Sequence, residues 1–241
     1  MLVVGPPVGL VWLVATRRCA AAQWLRVGVS YGLGALLLVS PLVVRNWVVV
    51  GEPILSSVAA ESLWRGNAPH SRGGSYVSRT QSVLEAVPDM WARLQGKSEL
   101  QQAELFRAAF AADLAADPWL VARKVARKLF TFWWFAAESG YRYPAHYFYL
   151  YMAFYSAGVV FAGIGVVAVV SARSVKPAAF EASLLLCTLA LVVSVVQSVF
   201  YVEIRHRWAV EAMLVIFAAM GMLRTWAAVH APRLAVARVP R

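Results

Sequence analysis

Three groups of polar residues in this sequence have the types and spacing needed to hold a phosphate. They are the cluster of Lys124, Arg127 and Lys128, the pair Arg205 and Arg207 with Glu211 four residues further on, and the segment GNAPHSRGG at residues 66 to 74. Cations bind a phosphate through charge-assisted hydrogen bonds, which are stronger than neutral ones. Glycines in a tight loop let backbone N–H groups face an anion. Together the groups suggest binding of a phosphorylated ligand.

Each group also has a purely structural interpretation. Cations on an amphipathic helix can anchor a loop at the membrane surface without binding a specific ligand. Arg205 and Arg207 can be flanks that extend toward lipid headgroups. The segment GNAPHSRGG, with Arg65 and Arg72 adding charge, can be only a turn. The sequence leaves both interpretations open for all three groups.

Other catalytic or metal-binding chemistry is not indicated by the sequence. Cys19 and Cys187 lie inside or beside apolar segments, so neither a disulfide framework nor a zinc site is expected. His70 is a single histidine in a polar loop, and we expect it to be solvated rather than catalytic. No arrangement of Ser, His and Asp emerges elsewhere. We therefore expect no metal ion and no cofactor.

The composition indicates a membrane protein. Of 241 residues, 61% are hydrophobic, and the mean hydropathy of +0.62 is far above that of an ordinary globular domain. The net charge of +11 raises the question of nucleic-acid binding. A nucleic-acid-binding protein would cluster its basic residues on a soluble domain with few long apolar runs. The composition therefore argues against a nucleic-acid partner.

Five apolar segments can be compared with the ~20 residues that a helix needs to cross ~30 Å of hydrocarbon. They lie near residues 2 to 16, 21 to 44, 147 to 172, 178 to 201 and 208 to 229. The first is short, because about 15 residues at ~1.5 Å each span only roughly 22 Å. It is either a remnant of a membrane helix or a signal peptide, although Arg17 and Arg18 follow its apolar run instead of preceding it.

The sequence thus predicts an all-α fold, a polytopic transmembrane helical bundle of about five membrane segments with a helical outer loop lying on the membrane. We assign transmembrane helices to residues 1–50, the first of them truncated, and an extracytoplasmic loop subdomain with amphipathic helices to residues 51–144. Three transmembrane helices are assigned to residues 145–229, and a basic cytoplasmic tail to residues 230–241. The expected location is the plasma (inner) membrane.

The distribution of Lys and Arg orients these segments, because cytoplasmic loops retain an excess of both. One set of flanks carries nine basic residues and no acid, namely Arg17, Arg18, Arg26, Arg173, Lys176, Arg224, Arg233, Arg238 and Arg241. The loop from 51 to 144 carries eleven basic residues and nine acids, and the turn from Glu203 to Arg207 lies on the same face. We place the first set in the cytoplasm and the loop outside. The amino terminus is then outside, and we expect a further piece upstream.

The first part of the loop, from Glu52 to Pro88, has few apolar residues and many Gly, Ser and Pro, so we expect turns and short irregular pieces there. Beyond it, Ser98 and Gln101 form a capping box that predicts a helix near residues 98 to 116. The apolar residues expected on roughly one face of this helix are Leu100, Phe106, Phe110 and Leu114.

A second loop helix is predicted to follow Asp117, a suitable N-cap, with Pro118 at its first position. Its apolar face is expected to contain Val121, Val125, Leu129 and Phe132. The three cations of the first group gather beside that face, and two tryptophans follow. This pattern is typical of a helix in the membrane interface with its cations near lipid phosphates. The six Tyr of residues 141 to 155 predict an aromatic belt leading back into lipid.

The exit from the second apolar segment resembles that of a known family. Residues 41 to 53, PLVVRNWVVVGEP, end an apolar helix with a Pro and the pair Arg45 and Asn46, followed by Gly-Glu-Pro. About 20 residues beyond this pair lies GNAPHSRGG. In these features the chain resembles the bacterial glycosyltransferase family 39 group, which includes aminoarabinose and protein-mannosyl transferases of the GT-C fold. The resemblance covers the C-terminal half of such an enzyme.

The resemblance implies inverting transfer of a sugar from a polyprenyl phosphate to a lipid, glycan or protein acceptor at the outer membrane surface. Cations must then hold the leaving phosphate. The candidate residues for binding the phosphate of the donor are Arg205, Arg207, Lys128, Arg45 and Asn67. Glu211 is expected to orient Arg207. The implied partners are membrane lipid, the donor, the acceptor and, where the enzyme is split, a chain that supplies the N-terminal half.

The chain departs from the family pattern in two respects. Where the family shows an aromatic residue and then prolines near the two arginines, this chain has His206, Ala209 and Ala212, which weakens a helix kink and not the charges. The catalytic base of the family is an acid in the first outer loop, which is absent here, and no acid of the 51 to 144 loop occupies an equivalent place. We therefore name no catalytic residue and expect that this chain alone does not transfer sugar.

Two other classes of function are compatible with parts of the sequence. The main alternative is a non-catalytic membrane scaffold or interaction subunit derived from the same fold. A transporter is a third possibility, but it should bury polar groups at mid-membrane and show broken helices in paired halves. Gln197 and Glu181 fall within the apolar runs, and Glu181 is close to the inner end.

The orientation can be tested by cysteine labelling in intact cells. In a Cys-free background, a single cysteine at Ser75 should react with a membrane-impermeant reagent from outside, whereas cysteines near residues 173 to 176 should not. The expectation rests on the nine basic residues of the inner flanks. Labelling at the loop position only after permeabilisation would reverse the assignment.

Overall fold

The computed structural model of the chain describes residues 21–78, 80–136 and 144–236. Its helices are α1 (Ala21–Val50), α2 (Val58–Asn67), α3 (Pro88–Leu94), α4 (Glu99–Ala116), α5 (Pro118–Trp133), α6 (Ala145–Ser171), α7 (Pro177–Val199) and α8 (Trp208–Val236), with a 3₁₀ helix at Ile204–Arg207. An isolated bridge joins Tyr76 and Ser82, and the described residues contain no strand. The expected all-α class is confirmed for this part of the chain.

Within the described residues, the chain forms two compact units. The first is drawn from Met1–Tyr143 together with Leu191–Arg207, so it contains the loop helices, the end of α7 and the 3₁₀ helix. The second is drawn from Pro144–Ala190 together with Trp208–Arg241, so it contains α6 and α8. The candidate phosphate-binding residues of the sequence belong to the first unit, and Glu211 belongs to the second.

Four helical segments are long and apolar enough to cross a membrane: Arg26–Val50, Ala145–Ser171, Pro177–Val199 and Ile204–His230. They correspond to four of the five predicted apolar segments, and the segment from 2 to 16 lies outside the described residues. Large apolar side chains are exposed along α1, for example Leu37 at 75% and Val48 at 80%. A helix surrounded by hydrocarbon presents such a surface, because lipid rather than protein covers it.

The exit at residues 41 to 53 differs from the expected turn. Helix α1 continues through Pro41, Arg45 and Asn46 and ends only at Val50. Gly51, at φ 89°, then turns the chain, and its N–H donates to the carbonyl of Trp47 over 3.0 Å. The Arg-Asn pair therefore lies on the last turns of a helix. A run of Val residues can extend the helix beyond a charged pair, and the left-handed glycine is the residue that stops it.

Helices α6 and α8 pack against each other backbone to backbone. A Cβ atom built on Gly165 would overlap the carbonyl oxygen of Phe217, and one built on Gly221 would overlap that of Phe161. Near the start of both helices, the hydroxyl of Tyr151 donates to Glu211. The contact of Tyr151 with Glu211 lies nearer the start of each helix, and the glycine contacts lie further along both. Helices α6 and α8 therefore run parallel. Small residues that allow such close approach are the usual basis of helix packing in membranes.

The two loop helices predicted from their caps are confirmed. Ser98 accepts from the N–H of Gln101 over 3.4 Å, and the Gln101 side chain accepts in return from the N–H of Ser98 over 3.1 Å. Asp117 caps α5 by accepting from the N–H of Leu120 over 2.8 Å. The reciprocal hydrogen bonds satisfy N–H groups that the first turn of a helix leaves free. The buried face of α4 contains Phe106 but not Leu114, which is 39% exposed.

The expectation of irregular structure from Glu52 to Pro88 is wrong in part, because α2 occupies residues 58 to 67. Its buried residues Ala60 and Trp64 are one helical turn apart and join the core of the loop. The Trp64 ring lies 5.4 Å from that of Phe106 on α4, a separation at which aromatic pairs attract. Helix α2 is thus stabilised mainly by tertiary packing, which the sparse apolar residues of this stretch did not reveal.

Helix α5 was expected to direct its cations toward lipid phosphates, but two of them lie on its inward side. Its buried residues are Val121, Lys128 and Phe132, and Lys124 is half-buried beside them. The two lysines therefore point into the protein and not toward lipid phosphates. Ser75 is buried as well, at 5% exposure, and its hydroxyl donates to Glu203. A cysteine at the exposed position Gln95 is the better site for the labelling experiment.

The glycine contact between α6 and α8 predicts a strong position dependence of stability. Gly165→Ala should lower the thermal unfolding midpoint in detergent, because the added methyl group must push the two helices apart. Gly163→Ala is the matched control, since nothing lies within 4 Å of a Cβ at that position. This control should be neutral or slightly stabilising, because Ala is favoured over Gly in a helix by up to about 1 kcal/mol. Equal midpoints for both variants would contradict the packing.

Candidate functional site

Two candidate residues from distant parts of the sequence, Asn67 and Lys128, meet in the first unit. The Lys128 side chain is 0% exposed. Its Nζ donates to Oδ1 of Asn67 over 2.9 Å and to the carbonyl of Val199 over 3.2 Å. Nδ2 of Asn67 donates to the same carbonyl over 2.8 Å and to that of Leu63 over 2.7 Å. We call these three residues, Asn67, Lys128 and Val199, the junction.

The junction joins the loop to the end of α7, a helix long and apolar enough to span a membrane. Val199 is the last residue of α7, whose final carbonyl groups have no acceptor role within the helix. The carbonyl of Val199 receives two hydrogen bonds, one from Asn67 on α2 and one from Lys128 on α5. The negative end of the α7 dipole also favours a nearby cation. The loop helices are thereby fixed to the point where the chain leaves α7.

Lys124, one turn before Lys128, donates hydrogen bonds to backbone carbonyls at the end of a second helix, α2. Its Nζ donates to the carbonyls of Asn67 over 3.2 Å, of Pro69 over 3.1 Å, and of Ala68. These carbonyls lie at and just beyond the C-terminus of α2. An ammonium group has three donors, so the three acceptors match its charged form. Lys124 therefore caps α2 in the way that cations commonly cap helix C-termini.

The glycines of GNAPHSRGG have steric roles in this arrangement. A Cβ on Gly66 would lie 2.5 Å from the backbone nitrogen of Tyr201, and one on Gly73 would lie 2.7 Å from Cγ of Lys128. Gly73 also has φ 103°, a conformation that side chains disfavour. Its carbonyl accepts from the N–H of Val202 over 2.9 Å. The segment thus encloses the Lys128 stem and the residues that follow α7, which favours its structural interpretation.

The turn that follows α7 carries the two candidate arginines in different environments. Arg205 is exposed, and its guanidinium lies 2.9 Å from the carboxylate of Glu203. Arg207 is 2% exposed, and its guanidinium carbon lies 4.6 Å from the ring centre of Phe135, within the range of a cation–π interaction. Arg205 therefore lies at the protein surface in an ion pair, whereas Arg207 is held inside the protein.

The other candidates lie apart from the junction. Arg45, on the last turns of α1, is exposed and donates to Oδ1 of its neighbour Asn46 over 2.9 Å. Asn46 in turn donates to the carbonyl of Ile54 over 2.8 Å, which ties α1 to the start of the loop. Glu211 accepts from Tyr151 within the second unit. The proposed orienting role of Glu211 toward Arg207 stays a prediction.

Burial dominates the electrostatics of the junction. It lowers the pKa of Lys128 from the usual 10.5 to about 7, and the positive charge of Lys124 lowers it further. Burial also lowers the pKa of Lys124, an effect that Asp113 opposes. A neutral amine has two N–H donors, and Lys128 makes two hydrogen bonds. The geometry therefore suits the neutral form as well as the charged one.

The described residues include few of the features that hold a metal ion or a polar ligand. They contain no group of three or more His, Cys, Asp or Glu able to hold a metal ion. A cavity of about 210 Å³ in the first unit is lined mostly by apolar residues, with Ser56, Ser57 and Arg107 among its walls. No carboxylate or histidine is among the lining residues.

Sequence reasoning did not find Val199, Phe135 or Glu203 as parts of this region. A valine and a phenylalanine carry no signal of polar function, because the groups that matter are a backbone carbonyl and a ring face. Glu203 stands two residues before Arg205, and this short spacing is the one signal that pointed to an ion pair.

Comparison of the chain with protein-family models, curated proteins and solved structures finds no match. The functional argument therefore depends on residues and their geometry. The geometry brings Asn67 and Lys128 together, and places both arginines in the turn that begins at the junction.

The lowered pKa of Lys128 predicts an alkaline rise in stability. Between pH about 7 and 10.5, the unfolded chain holds a proton on this lysine that the folded chain has released. The free energy of unfolding must then rise with pH across that window, and level off below it. Lys128→Met should remove most of this rise, as measured by thermal unfolding in detergent at several pH values.

Lys97→Met provides the control for this experiment, because Lys97 is exposed in the same loop. It should keep the pH dependence of the unmodified chain. A Lys128→Met variant whose stability still rises with pH as steeply as the control would show that Lys128 remains charged in the folded protein.

Proposed function

We propose that this chain forms the C-terminal, lipid-binding half of a membrane glycosyltransferase of the GT-C type, which takes its sugar from a polyprenyl phosphate. The observation that carries the proposal is the junction. It connects the Gly-Asn motif of the resemblance to the segment that bears Arg205 and Arg207. Two motifs separated by more than a hundred residues are thus parts of one local structure next to the end of a membrane helix.

In the proposed reaction, the bond between the anomeric carbon and the phosphate oxygen breaks as the acceptor oxygen bonds to the opposite face of the sugar. The acceptor proton passes to a carboxylate that none of the named residues supplies, and the phosphate leaves with increased negative charge. Arg205 neutralises that charge from the exposed side of the turn. Arg207 adds positive potential from its fixed position beside Phe135.

The buried partners of the turn then have a positioning role. The amino group of Lys128 is occupied by Asn67 and Val199, so it holds the turn in place rather than contacting the phosphate directly. Arg45, on the last turns of α1, is the remaining candidate contact for the donor. The proposed orientation places the loop outside the plasma membrane, with about five crossings in all, and the acceptor approaches from that side.

A non-catalytic scaffold is the alternative that a specific observation favours. The Gly-Asn motif and Lys128 are engaged with each other and with backbone carbonyls. A chain that retained the fold but not the reaction would keep such contacts, because they stabilise the loop whether or not a donor binds. The two functions differ in whether the arginine turn binds a polyprenyl phosphate.

Binding of a long-chain polyprenyl phosphate to the purified chain in detergent distinguishes them. Arg205→Gln should weaken binding by about tenfold, since a charge-assisted hydrogen bond contributes roughly 1.5 kcal/mol or more. Arg207→Lys should also weaken it, because Lys cannot reproduce the planar guanidinium. The control is Arg173→Gln, which removes one exposed charge from the opposite flank and should leave affinity unchanged.

Equal affinity of all four proteins for the polyprenyl phosphate would contradict a phosphate site in the arginine turn and would support the non-catalytic scaffold. Because Arg207 is buried, its variant is compared only after its thermal unfolding midpoint has been shown to match that of the unmodified chain. Arg205 is exposed, so its variant tests the proposal even where the Arg207 variant does not fold.

A further inference from the structure

We propose that the outward face of α5 binds the anionic headgroup layer of the membrane. This face, which we call the aromatic–arginine face, consists of Trp119, Arg123, Arg127 and Phe130 of the helix, together with Trp134, the residue that follows its last turn. The four helical members are three or four residues apart in succession, so they project from one side of the helix. The inference does not depend on sugar transfer, since it concerns how the loop meets the membrane.

The aromatic members of this face are far more exposed than the residues on the opposite side. Trp119 is 68% exposed, Phe130 62% and Trp134 43%, whereas Val121 and Phe132 are buried. Such apolar area on a helix whose other face is already packed needs an apolar environment that the described part of the chain does not supply. The exposed side of α4 offers a contrast within the same unit, because Glu104, Ala108 and Ala111 lie there.

The junction sets the depth of α5 relative to the membrane. Lys128 binds α5 to the carbonyl of Val199, the last residue of a helix long enough to span the bilayer. Eight residues separate Val199 from Trp208, where α8 begins. A helix attached at this point lies where hydrocarbon gives way to headgroups. Trp and Phe partition into this layer, and it is where amphipathic helices rest.

The charges of the aromatic–arginine face indicate which kind of membrane surface it binds. Arg123 and Arg127 stand between the aromatic residues, where their guanidinium groups can meet lipid phosphates while the rings enter the acyl boundary. Arg123 lies 3.9 Å from the carboxylate of Asp117, and both side chains are about half exposed. An anionic bilayer therefore fits better than a neutral one. The lipid-facing cations of α5 are these arginines, and the lysines face inward.

Site-directed spin labelling tests the proposal on the full chain. In a background with Cys19→Ser and Cys187→Ser, one variant carries Phe130→Cys and the matched control carries Ala108→Cys, an exposed position on α4. Both are reconstituted into nanodiscs of phosphatidylcholine, and of phosphatidylcholine mixed with phosphatidylglycerol. Collision rates of the nitroxide with oxygen and with a water-soluble nickel complex report its depth.

The label at residue 130 should show an oxygen-to-nickel ratio several-fold higher than the label at residue 108, and the ratio should rise further with phosphatidylglycerol. Arg123→Gln with Arg127→Gln should abolish that rise. Arg93→Gln with Lys97→Gln removes the same charge from exposed positions elsewhere in the loop and should preserve it. A label at residue 130 as accessible to nickel as the control would overturn the proposal. A ratio insensitive to phosphatidylglycerol would overturn its electrostatic part.

Discussion

The hydrogen bonds of Lys128 constrain most of the first unit. A lysine amino group with no exposed surface must find acceptors inside the protein, because an unsatisfied buried amine costs several kcal/mol. Its acceptors are Asn67 of α2 and Val199 of α7, so one side chain fixes the mutual positions of three helices. The Gly-rich segment must then fit around the lysine stem, and the turn that bears the arginines must begin beside it. Each of these features depends on the single burial event.

The two lysines of α5 are satisfied by the ends of helices and not by carboxylates. Lys124 binds carbonyls at the C-terminus of α2, and Lys128 binds the last carbonyl of α7. Such carbonyls carry partial negative charge and would otherwise need water, so each contact satisfies both partners. The arrangement leaves the acids of this region to other partners, as in the pair of Glu203 with the exposed Arg205. It also separates the lysines that organise the fold from the arginines that face outward.

Local signals predicted local structure well. The caps at Ser98 and Asp117 identified α4 and α5 because their hydrogen bonds span only three residues. The long apolar runs identified the four helices that could span a membrane for a similar reason. Burial of Lys128 could not be predicted, since its acceptors are 61 and 71 residues away and one is a backbone carbonyl. Helix α2 was missed because its stability comes from packing on α4. The sequence placed Asn67 and Lys128 among the candidates without indicating that they touch each other.

The hydrogen bonds from Asn67 and Lys128 to the carbonyl of Val199 have a consequence for biosynthesis. The loop core of α2, α4 and α5 can assemble soon after residue 133 is made. The side-chain amide of Asn67 and the amino group of Lys128, however, lack the carbonyl that accepts from both of them until Val199 has been synthesised. That acceptor arrives only after two further long apolar helices, α6 and α7, have been synthesised. Contacts of such long sequence separation form late. Until they form, the amide of Asn67 and the amino group of Lys128 have only partners within the loop, namely Leu63 and each other.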